Sequence, residues 1–148
     1  MNVPRYRAWR FLHPDIDVAE QFAGLGTSPT GGIDMVDDQA CVRQAILLLL
    51  STIPGERVMR PNYGCDLHKL IFSPNDNTTA GLAIHYVRQA LDRWEPRIQV
   101  TFLDADPNPQ EPGRLDIVLE YRLRRAERTD QLTFSINVMG EADGAEIT

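Results

Sequence analysis

Cysteine is scarce in this chain of 148 residues, because only Cys41 and Cys65 occur. Small secreted domains that rely on disulfide bridges normally carry more cysteines. Long apolar runs are also missing. The longest, Ala45 to Leu50, is far shorter than the ~20 residues that cross a bilayer, and the N-terminal residues lack the apolar stretch of a secretory signal. We therefore expect reduced thiols, no contact with a membrane, and assembly in the cytoplasm.

The chain also lacks an excess of positive charge. Fifteen Lys and Arg residues stand against twenty-one Asp and Glu residues, for a net charge of −6. Proteins that bind nucleic acid need a basic face to contact phosphates. One local basic cluster exists, but charges on an outward strand face are usually only solvated. The cluster comprises Arg122, Arg124, Arg125 and Arg128. We expect no nucleic-acid partner.

Two stretches carry the spacing of amphipathic helices. The first can be capped by Asp37 or Asp38 and ends at Pro54-Gly55. The second can be capped by Asn77 or Thr78 and stops before Pro96. The apolar stripes are Val42, Ala45, Ile46, Leu49, Leu50 and Ile53 in the first helix, and Leu82, Ala83, Tyr86, Val87, Ala90, Leu91 and Trp94 in the second. A short helix between them, Asp66–Phe72, would bury Leu67, Leu70 and Ile71.

In the last third of the sequence the hydrophobic period changes to two, which predicts strands near 98–102, 115–123 and 132–138. The connections at 104–114 and 125–130 are short enough to favour antiparallel neighbours. The predicted fold class is α+β, with two main helices packed on a three- to four-stranded antiparallel sheet. We divide the chain into an irregular N-terminal arm (1–30), one domain (31–139) that begins with a short strand at Ile33–Val36, and a flexible tail (140–148).

Candidate catalytic and metal-binding groups are few. Cys65 and His68 form a Cys-x-x-His pair, with Asp66 between them and His85 further along the chain, but zinc needs three or four protein ligands. Glycosidases need two carboxyl groups at a fixed separation, for which Glu56 and Glu95 are the candidates. Each has an arginine close by in the sequence, so each can simply be ion-paired. We assign no catalytic residue, metal or cofactor, and keep a peptidoglycan-cleaving lysozyme-like enzyme as the rival function.

The segment Trp94-Glu95-Pro96-Arg97-Ile98 joins the second helix to the first strand of the sheet. Arg97 at such a corner could bind a partner's carboxylate in a bidentate fashion. It could equally form a local salt bridge at a helix end. The residues alone leave these two alternatives open.

The run VRQAILLLLSTIPGERVMRPNYGCDLHKLIFSPND (42–76), followed by ALDRWEPRI (90–98), resembles the GPW-type baseplate wedge family, often labelled lysozyme-like. This family includes the phage baseplate wedge protein, TssE of type VI secretion and counterparts in extracellular contractile injection systems. The resemblance covers about residues 31–138. It implies a non-catalytic baseplate component that links the wedge proteins to the sheath and starts sheath assembly.

The resemblance also implies partners and sites. Glu95, Pro96 and Arg97 match the family's Glu-Pro-Arg motif, which would contact a helical core bundle of the other wedge subunits. The sheet would accept a strand from the sheath protein, and we favour its last strand, with Leu132, Phe134 and Ile136, over the first (98–103). Ser135 and Asn137 are expected to alternate away from the core. Hub or inner-tube proteins are further candidate partners, and several copies would sit in one symmetric particle.

Overall fold

The computed structural model describes residues 7–12, 24–25, 27–33, 35–125 and 127–140. These residues fall into two compact units, 1–45 and 46–148. The predicted tail lies outside the described residues except for Gly140. The predicted N-terminal arm is described only in part.

The described residues of the first unit form two short strand pairs. β1 (Arg7–Trp9) pairs antiparallel with β4 (Met35–Asp37), and β2 (Phe11–Leu12) pairs with β3 (Gly24–Leu25). The sequence predicted only the strand near residue 35, because the prolines and glycines hide elements of two or three residues. The boundaries drawn at 30 and 139 stay predictions.

Helix α1 (Asp38–Ser51) begins in the first unit and continues into the second. The predicted stripe is buried at Val42, Ile46, Leu49 and Leu50, while Ile53 lies beyond the helix and is exposed. Leu47 is buried as well, which agrees with a helix that packs on more than one side.

The 3₁₀ helix Asp66–Leu70 buries Leu67 and Leu70 as predicted, but leaves Ile71 exposed. Helix α2 (Asn77–Trp94) is capped by Asp76, and not by Asn77 or Thr78 as predicted. The Asp76 carboxylate accepts a hydrogen bond from the Thr79 N–H at 2.9 Å, and this bond lowers the pKa of Asp76. The buried face of α2 comprises Thr79, Ala80, Ala83, Val87, Ala90 and Leu91; the prediction of Leu82 in this face was wrong, since it is exposed.

The second unit contains one antiparallel sheet in the order β5 (Ile98–Pro107), β6 (Arg114–Leu123), β7 (Thr129–Asn137). Two helices packed against this three-stranded sheet make an α+β fold, so the predicted fold class is confirmed. β5 is longer than predicted, because residues 104–107 pair with β6 and do not form a loop. The core lies on the face where β6 presents alternate fully buried side chains: Leu115, Ile117, Leu119 and Tyr121.

Candidate functional site

The corner between α2 and β5 is held by one ion pair inside the Glu-Pro-Arg motif. Arg97 Nε lies 2.5 Å and Arg97 Nη2 lies 2.7 Å from the two carboxylate oxygens of Glu95, so the contact is bidentate. The Glu95 side chain is 5% exposed and that of Arg97 is 28% exposed. Glu95 therefore positions Arg97 from within the fold and offers little of its own surface to a partner. The structure contains the local salt bridge, and contact of Arg97 with a partner stays a prediction.

Arg124, the residue that follows β6, also holds this corner. The Arg124 N–H donates to the Arg97 carbonyl at 3.0 Å, and Arg124 Nε donates to the Ile98 carbonyl at 3.2 Å. The corner is thus tied to the end of β6 as well as to its own helix. Its backbone is fixed before any partner arrives.

A loop between α1 and the 3₁₀ helix packs against the corner. The Tyr63 ring meets the Trp94 ring edge-on at 5.3 Å, and the Arg57 guanidinium lies 4.3 Å from the centre of the Tyr63 ring. Burial raises the pKa of Tyr63, and the charges of Arg57 and Glu95 act on it in opposite directions. The loop is therefore part of the same surface as the Glu-Pro-Arg motif.

Gly64 allows this loop to close. Its φ is +136°, and a Cβ at this position would lie 2.4 Å from the Thr52 carbonyl oxygen. The next residue, Cys65, donates its N–H to that same carbonyl at 2.9 Å. Only glycine combines the backbone angle with so close an approach.

The candidate catalytic and metal-binding residues Cys65, His68 and Glu56 are buried or contact nearby backbone groups. The Cys65 side chain is buried, and burial raises the pKa of its thiol to about 11. His68 Nδ1 lies 3.4 Å from the Cys65 carbonyl oxygen. Glu56 Oε2 accepts a hydrogen bond from the Ile53 N–H at 3.0 Å. Across the described ranges, no three His, Cys, Asp or Glu side chains are grouped so that they could hold a metal ion.

The last strand lies at an edge of the sheet. Two backbone bonds flank the pairing of β7 with β6, from the Leu123 N–H to the Arg128 carbonyl at 3.0 Å and from the Val138 N–H to the Gly113 carbonyl at 2.8 Å. Backbone groups alternate in direction along an antiparallel strand. The backbone groups of even-numbered β7 residues therefore point toward β6. Those of odd-numbered residues, such as Thr133 and Asn137, point to the other side.

The side chains of the predicted edge residues belong mainly to the core of the protein. Leu132 and Phe134 are buried in the core and Ile136 is half-buried, while their backbone groups point toward β6. Ser135 pairs with Asp116, on the face of the sheet opposite Phe134 and Ile136, yet it is only 5% exposed. Alternation of apolar residues identified the strand, but it did not identify which backbone groups face outward. Asn137 was already singled out from the sequence, whereas Thr133 was missed.

The opposite edge, on β5, is interrupted by a bulge and ends in a proline. The register shifts between Val100 and Phe102, which marks a bulge. Beyond the bulge the outward N–H groups belong to odd-numbered residues. That of Ala105 already donates to the Asp104 carboxylate at 2.9 Å, and Pro107 has none. This edge has the features with which proteins discourage strand addition.

Comparison with known proteins matches residues 36–128 to the family described as baseplate wedge protein gp25. Among solved structures, a Geobacter sulfurreducens protein with the provisional name of tail lysozyme is 38% identical, with a TM-score of 0.65, over 74% of this chain and all of that one. No curated protein matches the chain significantly.

Two further similar structures come from whole baseplates. A chain of the anti-feeding prophage baseplate is 26% identical with a TM-score of 0.67, over 80% of this chain and 85% of that one. A chain of the post-contraction pyocin R2 baseplate is 27% identical with a TM-score of 0.55, over 68% of this chain and 99% of that one. No helix in the described part of the chain is long and apolar enough to cross a membrane. The family match, over residues 36–128, spans more than half of the sequence. This chain therefore belongs to the gp25 family of baseplate wedge proteins.

Proposed function

We propose that this protein is a non-catalytic adaptor that connects the baseplate wedge to the first sheath subunits of a contractile phage-tail-like particle. Assembly takes place in the cytoplasm, and the particle holds several copies. The corner at Glu95–Arg97 faces the other wedge subunits. The β7 edge receives a strand from the sheath protein, and the sheath elongates from there.

The difference between the two sheet edges supports this assignment. An open edge binds an extended segment through main-chain hydrogen bonds. On β7 the outward Gln131 N–H donates to the Asp130 carboxylate, but beyond it the backbone groups of Thr133 and Asn137 lie on a stretch without a register shift, and no strand among the described residues pairs with that side. On β5 the bulge, the Asp104 carboxylate and Pro107 interrupt the edge.

The ion pair within the corner argues against the lysozyme-like alternative. Both carboxylate oxygens of Glu95 accept hydrogen bonds from Arg97, and Glu56 stabilises a turn next to α1. A glycosidase needs one carboxyl group to donate a proton and the other to act on the sugar. A turbidity assay on peptidoglycan tests this point: clearing by wild-type protein that disappears in Glu95→Gln would establish an enzyme.

A proline at the outward face of β7 tests the adaptor role. Thr133→Pro removes an N–H that points away from β6, so pairing within the sheet should persist while strand addition fails. The matched control is Thr133→Val, which retains the N–H. We expect baseplates that contain the Thr133→Pro variant but carry no sheath, seen by negative-stain electron microscopy. Full-length sheaths on such baseplates would contradict strand addition at this edge.

A further inference from the structure

Two large apolar side chains stand almost fully in solvent at the tip of the loop that packs on the corner. Val58 and Met59 are each 92% exposed. The turn that carries them is closed by the Arg60 N–H to Arg57 carbonyl bond at 3.1 Å. Adjacent apolar residues that a fold holds in water are typical of an interaction site. We call residues Arg57–Arg60 the tip.

The tip rests on a rigid base. A second turn follows it, closed by the Tyr63 N–H to Arg60 carbonyl bond at 3.1 Å, and Tyr63 packs against Trp94. Arg57 stacks on the Tyr63 ring, so one of the two flanking cations is already oriented. A surface that is ordered before binding loses less conformational entropy when a partner docks.

The charge of the tip differs in sign from that of the chain. From Arg57 to Cys65 there are two arginines and no acidic residue, whereas the whole chain has a net charge of −6. The Arg93 guanidinium lies over the Trp94 ring at 5.0 Å, and the corner also carries the partly exposed Arg97. A partner that covers this surface would have to bring carboxylates to the arginines and apolar side chains to Val58 and Met59.

We propose that the tip, and not Glu95 itself, is the main docking surface for an acidic amphipathic helix of another wedge subunit. An amphipathic helix presents an apolar stripe bordered by charged residues, which matches a pair of apolar residues flanked by arginines. Glu95 acts as a positioning residue through Arg97. This inference rests on the proposed function and names the chemistry of the wedge partner at the same corner.

Two variants and a matched control test the inference in cells that produce the particle. The double variant Val58→Ser, Met59→Ser removes the apolar contacts, and Arg57→Gln, Arg60→Gln removes the charges. The control Phe72→Ser changes another highly exposed apolar residue, 82% exposed, away from the tip. The amount of each protein in purified particles is measured by quantitative mass spectrometry, and thermal unfolding of each isolated chain confirms that it folds.

We expect both tip variants to fall at least tenfold in particles while they fold like wild type, and the control to be retained. A photo-crosslinker in place of Met59 should link to an acidic helical peptide of another wedge subunit. Wild-type levels of the Val58→Ser, Met59→Ser variant, or crosslinks to nucleic acid or sheath protein, would overturn the inference. Wild-type protein absent from baseplates would instead refute the proposed function, so the two failures are distinguishable.

Discussion

The ion pair of Glu95 with Arg97 predicts a strong thermodynamic coupling between these two residues. Replacing Arg97 with alanine leaves the Glu95 carboxylate, only 5% exposed, without its bidentate partner. Loss of one member of a fully buried pair typically costs about 3–5 kcal/mol. Because Arg97 is itself 28% exposed, solvent screens part of this interaction, and we expect a loss of about 2–3 kcal/mol in the free energy of unfolding.

The double-mutant cycle isolates the coupling. Glu95→Gln keeps an oxygen that can accept from the guanidinium, so we expect it to cost about 1–2 kcal/mol. In the variant that carries both changes no buried charge is left unpaired, and its stability should resemble that of the less stable single variant. The coupling free energy should then be at least about 1 kcal/mol.

Urea unfolding of the four isolated chains measures the cycle. With a urea dependence of about 2 kcal/mol per molar, the Arg97→Ala midpoint should fall by about 1 M. Strictly additive single variants would refute the reasoning, because they would show that the two side chains do not depend on each other. Incorporation of the Arg97→Ala variant into baseplates must be measured well below its unfolding temperature. Loss of the internal ion pair and loss of a contact with a wedge subunit would both reduce incorporation.

Two further predictions concern the loop beneath the tip. Gly64→Ala should lower the free energy of unfolding by about 3 kcal/mol or more, because alanine is strained at a φ of +136° and because the Cys65 N–H loses its hydrogen bond to the Thr52 carbonyl. The control is Gly55→Ala, where φ is also positive but no atom lies near the added Cβ. Thermal unfolding should show a clearly larger loss for Gly64→Ala. Equal losses would contradict the role of the close approach. Burial raises the pKa of Cys65 to about 11 in the fold, whereas the unfolded chain ionises near the ordinary value of 9.0. The contribution of Cys65 to folding stability is therefore intact below about pH 9. It is lost as the pH rises toward 11, because ionisation then favours the unfolded chain. Urea unfolding from pH 8 to 11 should show a steeper fall for wild type than for Cys65→Ala, and parallel curves would contradict this.

The sequence predicted the elements whose burial follows a simple period. α2 and β6 each present one regular buried face, so helix, strand and fold class could be read from spacing alone. The cap of α2 could not, because Asp76, Asn77 and Thr78 all have side chains that can cap. Which one does so depends on where the extended backbone ends.

Other features depended on contacts between distant parts of the chain. The outer end of β5, residues 104–107, carries acids and a proline that hide its strand character, and only pairing with β6 reveals it. The adjacency of Glu95 and Arg97 allowed a salt bridge to be considered. The packing of Tyr63 on Trp94, which brings the tip to the corner, had no sequence signal.

The sheet gives the corner and the β7 edge a fixed geometric relationship. β6 pairs with β5 from Ile98 to Pro107 and with β7 over the full length of that strand. A slip of one residue between β6 and β7 would turn the buried Leu132 and Phe134 toward the opposite face. Register is therefore held by the core. A strand added at Thr133–Asn137 would take its direction from this sheet. In the proposed role the opposite end of the sheet, with the tip and the corner, docks on the wedge, so the sheet transfers the orientation of the wedge to the first sheath subunit.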